Sequence, residues 1–449
     1  MAHHHVTSAD IPANGEHLDP SKVSRVKSLA LIVASIGSVL SVWLLFFAPD
    51  KYNGWYSYSW VFALFFFFTL AIGGCFWTLL HNVSNSSWGT SVRRIFENLG
   101  SVFPWLFIFA IPLLFPGVQK YLYEWMNIHR EAKGDIHEYL ETHNHLLATK
   151  YFYMSIFWWY VRFFAYFLCM GLVINHLRKL STSQDTDPNP GTARLFKARS
   201  RSTGTLIIFA CTITFAGFDW LMGQDYTWFS TMWGVYLFAG AALNSMAVIV
   251  LTAAWLKSQG YLKNVVGPEH FHIMGKLMLA FTIFWAYVSF SQYFLIWYAN
   301  ITEETKYFLI RNTDGWNTGM IALVFGHFVI PFVILLQAWL KRNPKTLAIM
   351  AVYTLAMHVL DHYLITIPER GISLGNLMVT DPATGKLLVD GPKVFGEIAP
   401  SIPGAFWGDI LAFVTIGAGF LFFYLRALGQ HALYPHRDPR ILESANISN

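Results

Sequence analysis

The sequence predicts an all-α polytopic membrane protein, and three observations carry that prediction. Hydrophobic residues make up 55% of the 449-residue chain and charged residues only 13%. An ordinary soluble domain is about a quarter charged, so much of this surface has to face lipid. The apolar residues fall into ten runs, each close to the ~20 residues that a hydrocarbon core about 30 Å thick requires of a helix. The basic residues are unequally divided between the loops on the two sides.

The predicted spans, in order, are Leu29–Ala48, Tyr58–Leu80, Val102–Leu114 with its flanks, Tyr151–Ile174, Thr203–Met222, Trp228–Leu256, Ile273–Ala299, Trp316–Leu340, Thr346–Ile367 and Phe406–Leu428. Pro104, Pro112 and Pro116 interrupt the third, which a membrane helix tolerates where neighbours satisfy the freed backbone groups. Residues 1–28 form a polar tail whose first apolar run starts only after Lys27, so it does not read as a signal peptide. Residues 429–449 form a second tail. An even number of spans puts both tails on one side. That side holds 20 of the 31 Lys and Arg residues against 10 opposite, with Arg162 inside a span, and the asymmetry predicts both termini in the cytoplasm.

Two loops on the far side are long. Residues 117–150 carry five acidic residues among aromatics and read as an amphipathic helix, lying on the membrane or beneath a partner. Residues 369–405 are rich in Gly and Pro and read as a docking loop with a turn at TDPATGK. The formal charge of +5 gives no reason to invoke nucleic acid. Cys75, Cys169 and Cys211 all lie in apolar runs, with no CxxC or CxxCH. No disulfide, zinc site, iron–sulfur cluster or covalent haem is therefore expected, and no metal ligand is assigned.

Ionisable side chains within the bilayer are expensive and rare, so the few present define the candidate site. Counting 1.5 Å per residue places Arg162 near the midplane of the fourth span, with His327 and His358 at matching depth on the eighth and ninth. His358, Asp361 and His362 are three and four residues apart and share a helix face. Asp219 and Asp409 fall near the far surface and Lys276 near the terminal surface. Three readings compete. A histidine titrates near neutrality and a neighbouring carboxylate can tune it, which suits a proton-conducting or quinone-associated cavity. The same groups could instead satisfy one another and fix helix register, with Arg162 pairing into the set. His327 and His358 could alternatively ligate a b-type haem. Asp219 and Asp361 occupy similar places on the fifth and ninth spans, a hint of two repeated four-helix units.

Three blocks, FAGFDWLMGQDYTWFSTMWGVYLFAGA at Phe215–Ala241, MGKLMLAFTIFWAYVSFSQYFLIWYANITEET at Met274–Thr305 and HVLDHYLITIPE at His358–Glu369, resemble the NrfD-like (polysulfide-reductase membrane subunit) family. The likeness is strongest to the ActF-type subunits of alternative complex III, a bacterial quinol:electron-acceptor oxidoreductase. One departure is Thr302, where the family commonly has Pro. The resemblance implies two four-helix bundles, residues 58–222 and 228–368, flanked by outer helices at 29–48 and 406–428, one on each side. It implies a subunit of the bacterial inner membrane that is not catalytic alone and binds no cofactor itself. Menaquinol or ubiquinol would be the reductant, with haems and iron–sulfur clusters on partner subunits. Those partners would be a paralogous NrfD-like subunit, multihaem cytochrome c subunits, an iron–sulfur/molybdopterin-like extracytoplasmic subunit and a terminal oxidase. The proton path it suggests runs through Asp219, His327, His358, Asp361 and His362, to which depth adds Arg162, Lys276 and Asp409. Quinol oxidation in the chain itself, a standalone secondary transporter and a b-type haem protein are the alternatives.

Overall fold

The computed structural model describes residues 5–448 except 133, 189, 313 and 379–402. Among these residues there are helices and no strands, and ten helical segments are long and apolar enough to cross a membrane. The chain is an all-α, multi-pass membrane protein.

Burial identifies the axis of the molecule. The most apolar window of the second span is 94% buried and that of the sixth 78%, against 28–33% for the first, fourth, seventh and eighth. A helix apolar all round belongs in a core, and WVFALFFFFTLAIGG on the second span is such a sequence. The second span (Asp50–Ser84) packs on the third, fifth and sixth. The sixth (Trp233–Ser258) packs on the seventh and ninth. Two four-helix groups, spans two to five and six to nine, therefore meet through these two central helices. Gly73 and Gly74 set the approach. A Cβ on Gly73 would lie 2.3 Å from Ser245 Oγ, and one on Gly74 would lie 2.6 Å from the Gly100 nitrogen. Small residues at such crossings let backbones close up where no hydrophobic force drives helices together.

The first span (Pro20–Phe46) and the tenth (Pro403–Leu428) pack on each other and on the second. The tenth also reaches the second bundle, through Asp409 to Arg370 and Tyr363 of the ninth span and Tyr424 to Thr252 of the sixth.

The third span begins earlier than predicted, at Trp88. Its prolines break the far half into short turns, Phe103–Leu106, Phe107–Ala110 and Ile111–Leu114. This shift buries Arg93, Arg94 and Glu97, none more than 3% exposed. Arg93 pairs with Asp438 at 2.7 Å and Arg94 with Asp185 at 2.9 Å. On the far side, Arg311 and Arg370 are buried likewise. With Lys341 also buried, three of the basic residues counted on the terminal side and two on the far side are thus internal, and the asymmetry survives their removal. The C-terminal tail is ordered: Ser444 meets Ser91 at 2.7 Å, and Asn446 exchanges bonds with the Val6 backbone at 2.8 Å. Both termini lie on one face.

The 117–150 segment is four short helices, Pro116–Leu122, Glu124–Glu131, Ile136–His143 and His145–Lys150, where one amphipathic helix was expected. Asp135 and Asn144 cap the last two by accepting backbone N–H groups. Tyr123 and Trp125 are buried, so the segment is a cap on the first bundle. The ninth span runs Pro344–Met378, past its predicted end at Ile367. TDPATGK lies outside the described residues.

Candidate functional site

Local backbone breaks build the site. Pro331 has no N–H to offer the His327 carbonyl four residues back, so the usual helical bond cannot form there. The chain widens into a π-helical turn at Val324–Val329 with His327 inside it. Such turns recur at functional positions. On the ninth span, Pro368 leaves the Leu364 carbonyl free in the same way. Arg311 fills the gap: Nε donates to Leu364 O at 2.8 Å, Nη2 to Ile365 O at 2.6 Å and Nη1 to Glu369 Oε1 at 3.1 Å. Arg311 belongs to the outer helix Thr302–Arg311, whose first position, held here by Thr302, is one that suits Pro.

The structure brings together four of the eight expected residues. The rings of His358 and His362 are 4.1 Å apart, and those of His327 and His358 6.4 Å apart. His358 Nδ1 lies 3.9 Å from Asp361 Oδ2. All four residues are at most 1% exposed. Tyr236 donates to Asp361 Oδ1, and Trp285 Nε1 donates to Oδ2 at 3.2 Å. Trp285 also covers the His327 ring at 4.0 Å.

A tautomer follows from the bonds. Thr69 Oγ1 donates its single hydrogen to Phe66 O at 2.7 Å. Its 3.1 Å contact with His358 Nε2 therefore requires the histidine to donate. That leaves Nδ1, the nitrogen facing Asp361, as the basic atom of the neutral ring. Both nitrogens of His327, both of His362 and His358 Nδ1 have no protein partner. Each buried polar atom left dry costs about 1–3 kcal/mol, so five together point to solvent inside the cluster.

Ligand atoms of His327, His358 and Asp361 lie within 4.8 Å of one another, although no metal was expected. Tetrahedral zinc with Zn–N bonds near 2.0 Å holds its ligands about 3.3 Å apart. The 4.8 Å limit admits a metal ion or bridging water. Trp285 and Phe66 pack against the two imidazoles, the Phe66 ring 5.3 Å from that of His358.

The other four residues lie elsewhere. Arg162 grips Asp219 through Nε and Nη2, both at 2.8 Å, and Tyr166 adds a 2.5 Å bond. The fourth span starts at Ile156, so Arg162 is in its far half and not at the midplane, and its partner is Asp219 in the first bundle, not the Asp361 group. Asp409 is held by Arg370 at 2.7 Å, Ser59 at 2.5 Å and Tyr363 at 3.0 Å. Lys276 is exposed and stands apart from the histidines. The eighth span ends at Leu336, with Gln337 in extended backbone, where one unbroken helix to Leu340 was expected.

Sequence reasoning missed Thr69, Tyr236 and Trp285 as contacts of the cluster. A Tyr or Trp in an apolar run carries no mark that separates a carboxylate donor from a packing residue. No family model matches the chain, and no curated protein matches it.

Proposed function

We propose that this chain is a membrane subunit of a respiratory quinol:electron-acceptor oxidoreductase of the alternative complex III type, with its second bundle lining a proton-translocation path. The family resemblance supports the assignment to a complex. One observation supports the path: His327, His358, His362 and Asp361 form a dry-walled cluster in which five ring nitrogens lack protein partners. A lone buried carboxylate beside a basic imidazole nitrogen can exchange a proton, with the O–H bond breaking as the N–H bond forms. Spans one to ten scaffold the complex, and the terminal face is cytoplasmic. Redox centres and quinol chemistry belong to partner subunits docked on the far side.

Asp361→Asn in the purified complex, reconstituted in vesicles, tests the path. The number of protons moved per electron should fall about tenfold or more, as for loss of a positioned acid–base group, while the complex still assembles. Wild-type pumping by the assembled variant would remove the path from this chain. Purification of the chain as an active monomer would remove the assignment to a complex.

A further inference from the structure

Other buried polar atoms without protein partners continue the cluster in both directions. On the terminal side stands Asn244. It is 0% exposed, its Nδ2 bonds Gly240 O at 3.0 Å and its Oδ1 has no partner. Gly240 abuts the site: a Cβ there would sit 3.1 Å from His358 Cε1. Asn244 is one turn further along the same helix, about 6 Å toward the terminal face.

On the far side, the seventh span (Pro268–Ala299) presents Trp285, Ser289 and Gln292 at i, i+4 and i+7, one helix face. Trp285 already donates to Asp361. Ser289 Oγ and Gln292 Oε1 are buried without partners, and Gln292 is 6% exposed. Gln292 lies about 10 Å beyond Trp285 toward the far face. Thr366, one turn beyond His362, likewise has a buried, unpartnered Oγ1. Each of these atoms needs a hydrogen-bond donor or acceptor that no side chain supplies. Water between them is the common solution.

We infer that Asn244 and Gln292 are the two water-holding ends of a file that crosses the second bundle through His358 and Asp361. The inference rests on the proposed proton path and names its entry and exit. A proton arrives on water bonded to Asn244 Oδ1 and passes to His358 Nδ1, whose new N–H bond replaces the O–H bond of the water. One water bridging the 3.9 Å gap relays it to Asp361 Oδ2, an O–H bond forming there as the His358 N–H bond breaks, and that O–H bond breaks in turn as the proton leaves on water held by Ser289 and Gln292. Nothing is oxidised or reduced, and one proton enters for each that leaves. The amides carry no charge themselves, so their work is to position water.

Asn244→Leu, Gln292→Met and the conservative Gln292→Glu, made in the whole complex, test it. Reconstituted vesicles with a pH-sensitive dye inside or outside separate uptake from release. Asn244→Leu should slow uptake at the terminal face about tenfold, and Gln292→Met release at the far face by a similar factor, because each removes a hydrogen-bonded step. Gln292→Glu should restore release. A role in packing alone would slow neither side selectively. Wild-type uptake and release in both variants, with Asp361→Asn still defective, would overturn the file and leave the path standing. Loss of assembly in Gln292→Met is decided by Ser289→Ala, which removes the other water-holding atom at the same end: slowed release at the far face supports the file, and wild-type release overturns it.

Discussion

Arg162 and Asp219 show how differently two buried carboxylates of this chain are treated. Asp219 has a bidentate guanidinium partner plus Tyr166, whereas Asp361 has only neutral donors, Tyr236 and Trp285. The first is an ion pair that fixes two helices, and the second has no Lys or Arg partner among the described residues. Breaking one partner of a buried pair costs about 3–5 kcal/mol, because the other charge stays behind. Arg162→Met should therefore lower stability by about that amount, while Arg162→Met combined with Asp219→Asn should recover most of it. Thermal denaturation of the detergent-solubilised protein measures both. At this scale the sequence revealed the depth of His327 and His358 and the shared face of His358, Asp361 and His362, because rise per residue and helical spacing are local rules. It hid the partners. Arg93, Arg94, Arg311 and Arg370 read as loop charges since Asp438, Asp185, Glu369 and Asp409 are distant in sequence, only Glu97 standing within a turn of Arg93 and Arg94.

At the scale of the helix, the ten apolar runs were legible from length and hydropathy, and their internal breaks were not. Prolines announced the fragments of the third span. The π-helical turn around His327 is the joint outcome of Pro331 and packing on the seventh and ninth spans, and packing partners are invisible to a local rule. The crossing of the second and sixth spans at Gly73 makes a sharp prediction. Gly73→Val would press a branched side chain against Ser245 and the Ala241 carbonyl, which a Cβ would already meet at 2.4 Å. Overpacking of this kind costs about 1–3 kcal/mol, so thermal unfolding of Gly73→Val should come earlier than that of wild type, and Gly73→Ala should lie between them.

For the molecule as a whole, the far face is held by charges that water can reach. Lys306 on the outer helix pairs with Asp225 at 2.7 Å. Burial pushes the Asp225 carboxyl up, but Lys306 and Thr227 outweigh it and hold it below its ordinary 3.8. Burial pushes Lys306 down, and Asp225 outweighs that and holds it above 10.5. The depressed carboxyl stabilises the docked helix fully above pH ~3.8 and ceases to do so as pH falls through its lowered value. The raised amine stabilises it fully below pH ~10.5 and ceases to do so as pH rises beyond. The contribution of the pair is therefore flat between about pH 4 and 10. Amide exchange in residues 302–311, corrected for its intrinsic pH dependence, should stay level over that window and quicken only in stronger acid or base. Quickening near pH 6 would mean another group governs the cap.

The grip of Arg311 on the Leu364 and Ile365 carbonyls has a mechanical consequence. Those oxygens belong to the same rod as Asp361, one turn away, at a joint already loosened by Pro368. A protein seated on the Thr302–Arg311 helix would hold the handle of a crank whose shaft ends at the carboxylate. On the proposed path, a shove from outside would reach Asp361 along that rod and give neighbouring machinery a way to time the proton without ever touching it.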